Sequence, residues 1–372
     1  MSVSVRAACS PGEARVAAVR DGRLLDYAIW RPGAPDGVGD LHRGRVLARV
    51  PAMAGAFVEL AAAEGFLPDS EGAAGLTAGT AVGVRVTRAA QGGKGPRLSA
   101  RLTPAEQALV GEGRPMLLRR GPGAIERLAA RYPDAPVRLD DPGLAAELRA
   151  ALGERVGVTA PVFHEALEAE IAGLGQASAP LPGGGRLAVH PTPALVAIDL
   201  DAGAATAERR DKGAAQMAFN WAALPELGRQ IRLRNLSGAI LVDLAGLSLR
   251  RRAALGPAFA AALAADPLNP RWLGFTALGL AEIGRPRVHP PLHELLAGPH
   301  AAGLAAVRCL TAEAAADPSR RLGLRAAPAV VSALRADPAA LADFARRTGR
   351  PLALRSDPTM SAGEWMMEEA HA

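Results

Sequence analysis

Asp199 and Asp243 each close a short apolar run, Leu195-Val196-Ala197-Ile198-Asp199 and Ala239-Ile240-Leu241-Val242-Asp243. Carboxylates are hard oxygen donors. A pair of them on rigid strands can seat a magnesium ion that is shared with a phosphate. Asp201 adds a third carboxylate two residues beyond the first. Strands also end in Asp because Asp starts turns and caps helices, and the pattern alone leaves both readings open.

The elements around the two aspartates must bring them together. Apolar, β-branched runs of this length read as buried strands. Between them, residues 214–234 form an amphipathic stretch whose apolar side carries Met217, Leu224, Leu227 and Ile231. A strand–helix–strand order sets the strands side by side, with both carboxylates at one sheet edge.

The whole chain has 372 residues, room for two or three domains. With 49% hydrophobic and 22% charged residues it has the composition of a globular protein. Its net charge is +6, and Lys94 and Lys212 are the only lysines. Arginine forks match phosphate oxygens, which favours a polyanionic partner, although a GC-rich coding sequence would also enrich arginine. Cys9 and Cys309 offer neither metal-site spacing nor a disulfide framework. No signal peptide or membrane-length apolar run is read, so the expected location is cytoplasmic.

Three segments carry a resemblance: VAIDLDAG (residues 196–203), MAFNWAALPELGRQIRLRNLSGAILVDLAGL (217–247) and GLAEIGRPR (279–287). In order, spacing and flanking residues they resemble the catalytic core of the ribonuclease E/G family. That resemblance implies an α+β fold in which a DNase I-like catalytic subdomain packs with an RNase H-like subdomain, an OB-type RNA-binding barrel being inserted in the latter. The expected divisions are 1–37 and 104–172 for the RNase H-like parts, 38–103 for an S-one-type barrel, 173–297 for the catalytic subdomain and 298–372 for a small C-terminal domain.

The same resemblance implies a magnesium-dependent endoribonuclease that cuts single-stranded RNA to leave 5′-phosphate ends, in RNA processing (including ribosomal RNA precursors) or decay. Asp199 and Asp243 would hold Mg²⁺. Asp201 stands where the family usually has Asn, and Gly246 where it often has a second acid. A rival reading is therefore an RNA-binding protein that kept the fold and lost efficient cleavage. On the barrel, Phe57, Phe66 and Lys94 match the family's base-stacking and backbone-contacting positions. Stacking of this kind is worth roughly 1–3 kcal/mol per base.

Several arginines flank the core. Arg229 and Arg232, three apart, share a helix face, with Arg234 beyond them; Arg250, Arg251 and Arg252 open the next helix, and Arg285 and Arg287 flank the strand after it. They are either a solvated face or RNA-phosphate contacts. His190 reads as a strand residue beside a turn. Two family features are missing. The segment that senses a 5′-monophosphate is absent, which implies indifference to the 5′ end. Residues 298–303, GPHAAG, replace the cysteines of a zinc link, so no structural zinc is expected. A homodimer through the catalytic subdomain is the candidate assembly. The charged tail from Glu368 is expected to fray.

Overall fold

Asp21 and Gly22 both take left-handed backbone conformations, with φ of 51° and 77°. Two such residues make the tight turn that matches the twist of flanking strands, and Asp-Gly suits it because glycine has no Cβ to clash. The turn joins Glu13–Arg20 to Arg23–Trp30 with Arg20 facing Arg23. Asp-Gly between two apolar runs is a hairpin signal in the sequence, and the hairpin forms there.

The computed structural model describes residues 2–203 and 212–369. These fall into two units, one built from 1–33, 124–286 and 291–372 and the other from 34–123 and 287–290. In the first unit, Val3–Ser10 joins the hairpin as a third antiparallel strand and pairs in parallel with Val137–Leu139, which pairs in parallel with Val156–Val158. Helices Ala124–Arg131 and Pro142–Leu152 cover one face of this five-stranded sheet, burying Ile125 and Leu128 against Val5 and Val16. Helix Glu165–Gly173 covers the other through Leu167 and Ile171. The sequence reads as a helix over 162–170; the helix starts later because His164 caps it, its ring nitrogen accepting from Leu167 N–H at 3.2 Å.

A six-stranded sheet follows in the spatial order Ser178–Pro180, Arg186–Pro191, Val196–Asp201, Gly238–Asp243, Ala281–Arg285, Arg271–Phe275. Val196–Asp201 and Gly238–Asp243 are parallel neighbours, as the strand–helix–strand order requires. Helix Lys212–Leu233 connects them and buries Leu224, Leu227 and Ile231 against Ile198, Leu200, Ile240 and Val242. Removing each such side chain from water contributes about 1.5–3 kcal/mol.

The C-terminal residues form a three-stranded sheet, ordered Ala353–Ser356, Leu322–Ala326, Trp365–Glu369, with helices Gly298–Ala316, Pro328–Arg335 and Pro338–Thr348. The expected fraying from Glu368 is corrected here. Glu368 lies in a strand, opposite Gly323, and its carboxylate is paired with Arg355. Residues 370–372 lie outside the described residues.

The second unit is a small barrel. Its strands run Gly55–Glu59, Glu64–Pro68, Arg97–Ser99, Ala81–Arg88, Leu41–Val50, and the last pairs back onto the first to close the ring. Val46, Val58, Leu67, Val84, Val86 and Leu98 fill it. The sequence carries five short strand-like runs here, 44–50, 55–60, 65–67, 82–87 and 97–102, and each overlaps one of these strands. The unit runs past the expected boundary at 103, however. Thr103 and Glu106 form a capping box that starts helix Pro104–Val110, and Met116–Arg119 adds a sixth strand to Leu41–Val50.

Candidate active site

Parallel pairing puts Asp199 directly opposite Asp243. Neighbouring strands lie about 4.8 Å apart, and register partners point to the same side, so the two carboxylates share one face. That face is the open one. Along Val196–Asp201 the even-numbered residues are buried under the long helix while Asp199 and Asp201 are exposed; Val242 and Leu244 are buried while Asp243 is exposed.

The three carboxylates have different surroundings. Asp199 is exposed, and its carboxylate meets no protein partner among the described residues. Asp201 accepts from Gly203 N–H at 2.9 Å and lies 3.5 Å from Arg186, its register partner. Asp243 accepts at Oδ1 from Arg252 Nη1 at 3.0 Å. The structure thus brings Asp199 and Asp243 together and turns Asp201 toward Arg186.

Asn220, which sequence reasoning passed over, and Arg252, which it read only as one of an arginine cluster, hold the loop after Asp243. Asn220 is fully buried, its amide nitrogen donating to Gln216 C=O and Ala245 C=O while its oxygen accepts from Ala245 N–H at 3.1 Å. Arg252 donates from Nε to Leu247 C=O (2.8 Å), from Nη2 to Leu244 C=O (3.2 Å) and from Nη1 to Gly279 C=O (2.6 Å) as well as to Asp243. A signal for Asn220 was present: 217, 220, 224, 227 and 231 form one helical stripe, in which it is the single polar member. Arg252 had none that separated it from Arg250 and Arg251. Gly246 has φ of 63°, and a Cβ there would lie 2.1 Å from Gln216 Nε2. An acid at this position would displace Gln216.

The donor set fits magnesium. Mg²⁺ keeps several waters and binds through one or two carboxylates plus phosphate oxygens, without an all-protein cage. Among the described residues no group of three or more His, Cys, Asp or Glu side chains is placed to hold a metal.

Three arginines expected to meet RNA are placed otherwise. Arg229 is clamped by Glu226 and Glu170 at 2.7–2.8 Å and donates to Leu24 C=O. Arg232 pairs with Asp26 at 3.2 Å and donates to Leu25 C=O. Both face the hairpin strand Arg23–Trp30, so the shared helix face is real but packed inward. Arg285 is buried and paired with Asp266 at 2.8 Å. Charge is visible in a sequence; the carboxylates that fold onto it are not. On the barrel, Phe57 and Phe66 are register partners whose rings meet edge-to-face at 5.6 Å, and both stay half-exposed. Lys94 is exposed on the turn bridged by Gln91. His190 is exposed opposite Ala197.

Residues 144–288 match the family model described as the Ribonuclease E/G family. Similar proteins include Ribonuclease E of Nostoc sp. (37% identical over 31% of this chain and 17% of that protein). Ribonuclease E of Escherichia coli K12 is 33% identical over 36% of this chain and 13% of its own length, and Ribonuclease G of the same strain 32% over 31% and 24%. The aligned part spans less than a quarter of each relative's length.

Proposed function

From the match of residues 144–288 to the Ribonuclease E/G family model, we propose that this chain is an endoribonuclease that cuts single-stranded RNA with Mg²⁺ and leaves 5′-phosphate ends, in RNA processing or decay. The carrying observation is the register pairing of Asp199 with Asp243 on the exposed sheet face. When bound, Mg²⁺ would polarise the scissile phosphate and orient or activate a water. Asp199 supplies the open carboxylate. Asp243 supplies the second, its Oδ1 fixed by Arg252 so that Oδ2 remains for a ligand. Asn220 and Arg252 fix the loop behind it, which keeps the pair of carboxylates pre-organised.

The antiparallel hairpin strands continuing into two parallel ones support an RNase H-like reading of the first sheet, and the six-stranded sheet a DNase I-like reading of the second. The closed barrel is compatible with an OB fold. Among the described residues no helix is long and apolar enough to cross a membrane, and the cytoplasm is the proposed location.

Two observations favour a second reading, an RNA-binding protein with weakened cleavage. Arg252 occupies one oxygen of Asp243, and no acid stands at Gly246. Incubation of the purified protein with a labelled single-stranded oligoribonucleotide, with Mg²⁺ and with chelator, separates the two. Cleavage that requires Mg²⁺ supports the enzyme, and binding without cleavage supports the alternative.

A further inference from the structure

Phe57, Phe66, Arg97 and Arg88 are successive register partners across four strands of the barrel. Their chain neighbours Ala56, Val58, Leu67, Leu98 and Ala89 are buried, so this row points outward. The extra residue Thr87 makes the irregularity between Val86 and Arg88 that sets Arg88 opposite Arg97. Two guanidiniums on facing positions repel one another. Neither has a carboxylate partner among the described residues, and Arg88 Nε is buried without a hydrogen-bond partner. The 287–290 segment is held to the same barrel by Ala89 N–H donating to Val288 C=O at 2.9 Å, which brings a third arginine, Arg287, beside them.

We infer that Arg88 and Arg97 form a phosphate-binding site on the barrel, one that takes backbone phosphates of a single-stranded RNA whose bases stack on Phe66 and Phe57. This rests on the RNA reading above and deepens it, since Arg229, Arg232 and Arg285 are committed to internal ion pairs while Arg88 and Arg97 are not. Burial, with Arg97 and Arg287 nearby, holds the Arg88 pKa below the usual arginine range. A phosphate placed between Arg88 and Arg97 would relieve the repulsion that their facing positions create. The row also orders the contacts: two aromatic faces for bases, then two guanidiniums for the chain that links them. Sequence-tolerant binding of single strands uses this combination of stacking and basic groups.

The test is fluorescence anisotropy of the full chain with a 3′-labelled oligouridylate, bearing either a 5′-hydroxyl or a 5′-monophosphate, over a range of salt. Arg88→Gln and Arg97→Gln should each lower affinity about three- to tenfold at low salt, and should flatten the slope of log affinity against log salt by about 0.7 for each phosphate no longer neutralised. Phe66→Ala should lower affinity and leave that slope alone. Equal losses with both oligonucleotides assign the site to internal phosphodiesters, as expected. A loss confined to the 5′-monophosphate form assigns it to the terminal phosphate instead and overturns the internal assignment. Because the two charges repel, both arginine variants should melt at or above the wild-type temperature; a lower melting point would make these arginines structural and overturn the proposal. If the wild type binds and the Arg88→Gln/Arg97→Gln double variant binds equally well with the same slope, the site is wrong and the RNA reading stands. If the wild type does not bind RNA, both fall.

Discussion

Arg252 Nη1 lies 3.0 Å from Asp243 Oδ1, and the same guanidinium donates to the carbonyls of Leu244, Leu247 and Gly279. One side chain therefore fixes both the carboxylate and the loop that follows it. Its own exposure is only 11%, whereas that of Asp243 is 52%. The cation reaches Asp243 from the protein side and leaves the solvent side open.

Arg252→Gln should thus do two things. Losing buried carbonyl partners should destabilise the fold by about 1–3 kcal/mol, read as a shifted urea midpoint. Cleavage at saturating RNA should also fall, with a changed Mg²⁺ half-saturation measured separately by titration with the spectroscopic substitute Mn²⁺. Arg252→Lys keeps the charge but cannot fork to the carbonyls, and should fall between. A destabilised variant with unchanged cleavage and ion affinity would confine Arg252 to a structural role.

Arg285 and Asp266 give a prediction about stability alone. Their side chains are 3% and 2% exposed, and Arg285 also donates to Asn235 Oδ1 and Leu236 C=O. Arg285→Ala leaves a buried carboxylate without its partner, which costs about 3–5 kcal/mol. The change should appear in equilibrium denaturation of folded protein, or as insolubility on expression. A loss under about 1 kcal/mol, on the order of an exposed pair, would show that water reaches Asp266.

The paired aspartates were legible because period and length mark buried strands, and a helix between two such strands makes them parallel neighbours. The Asp21-Gly22 turn and the five barrel runs were legible for the same local reasons. What the sequence hid was partnership. Arg229, Arg232 and Arg285 carry the same charge as Arg88 and Arg97, yet the first three meet Glu170, Asp26 and Asp266 from other parts of the chain. Met116–Arg119 was missed as a barrel strand because four residues carry too little periodicity to reveal their partner.

Zinc analysis tests the reading of residues 298–303. These begin helix Gly298–Ala316, and His300, the only metal-binding residue type among them, lies 3.0 Å from Asp337. Elemental analysis should find well under one zinc per chain. A stoichiometric zinc that survives chelation would mean that ligands come from elsewhere or from a second copy, and any homodimer would then have a metal link rather than apolar packing alone.

The final prediction separates an enzyme from a binding protein. Asp199→Asn and Asp243→Asn keep the side-chain shape and remove one negative charge each from the pair. Changes behind a metal's ligands typically cost about 10–100-fold, so loss of a ligand should lower the cleavage rate at least that much. RNA affinity should change little, since the proposed contacts with bases and phosphates lie on the barrel. Phe57→Ala should show the reverse: weaker binding, with single-turnover cleavage of saturating RNA mostly intact. Asp201→Asn removes a carboxylate that is turned toward Arg186 and Gly203, and an amide oxygen can still accept the Gly203 N–H. Activity should therefore hold, or rise as repulsion toward the phosphate falls. Mg²⁺-dependent cleavage that persists unchanged in both Asp199→Asn and Asp243→Asn would place the activity outside this site and leave the chain as an RNA-binding protein.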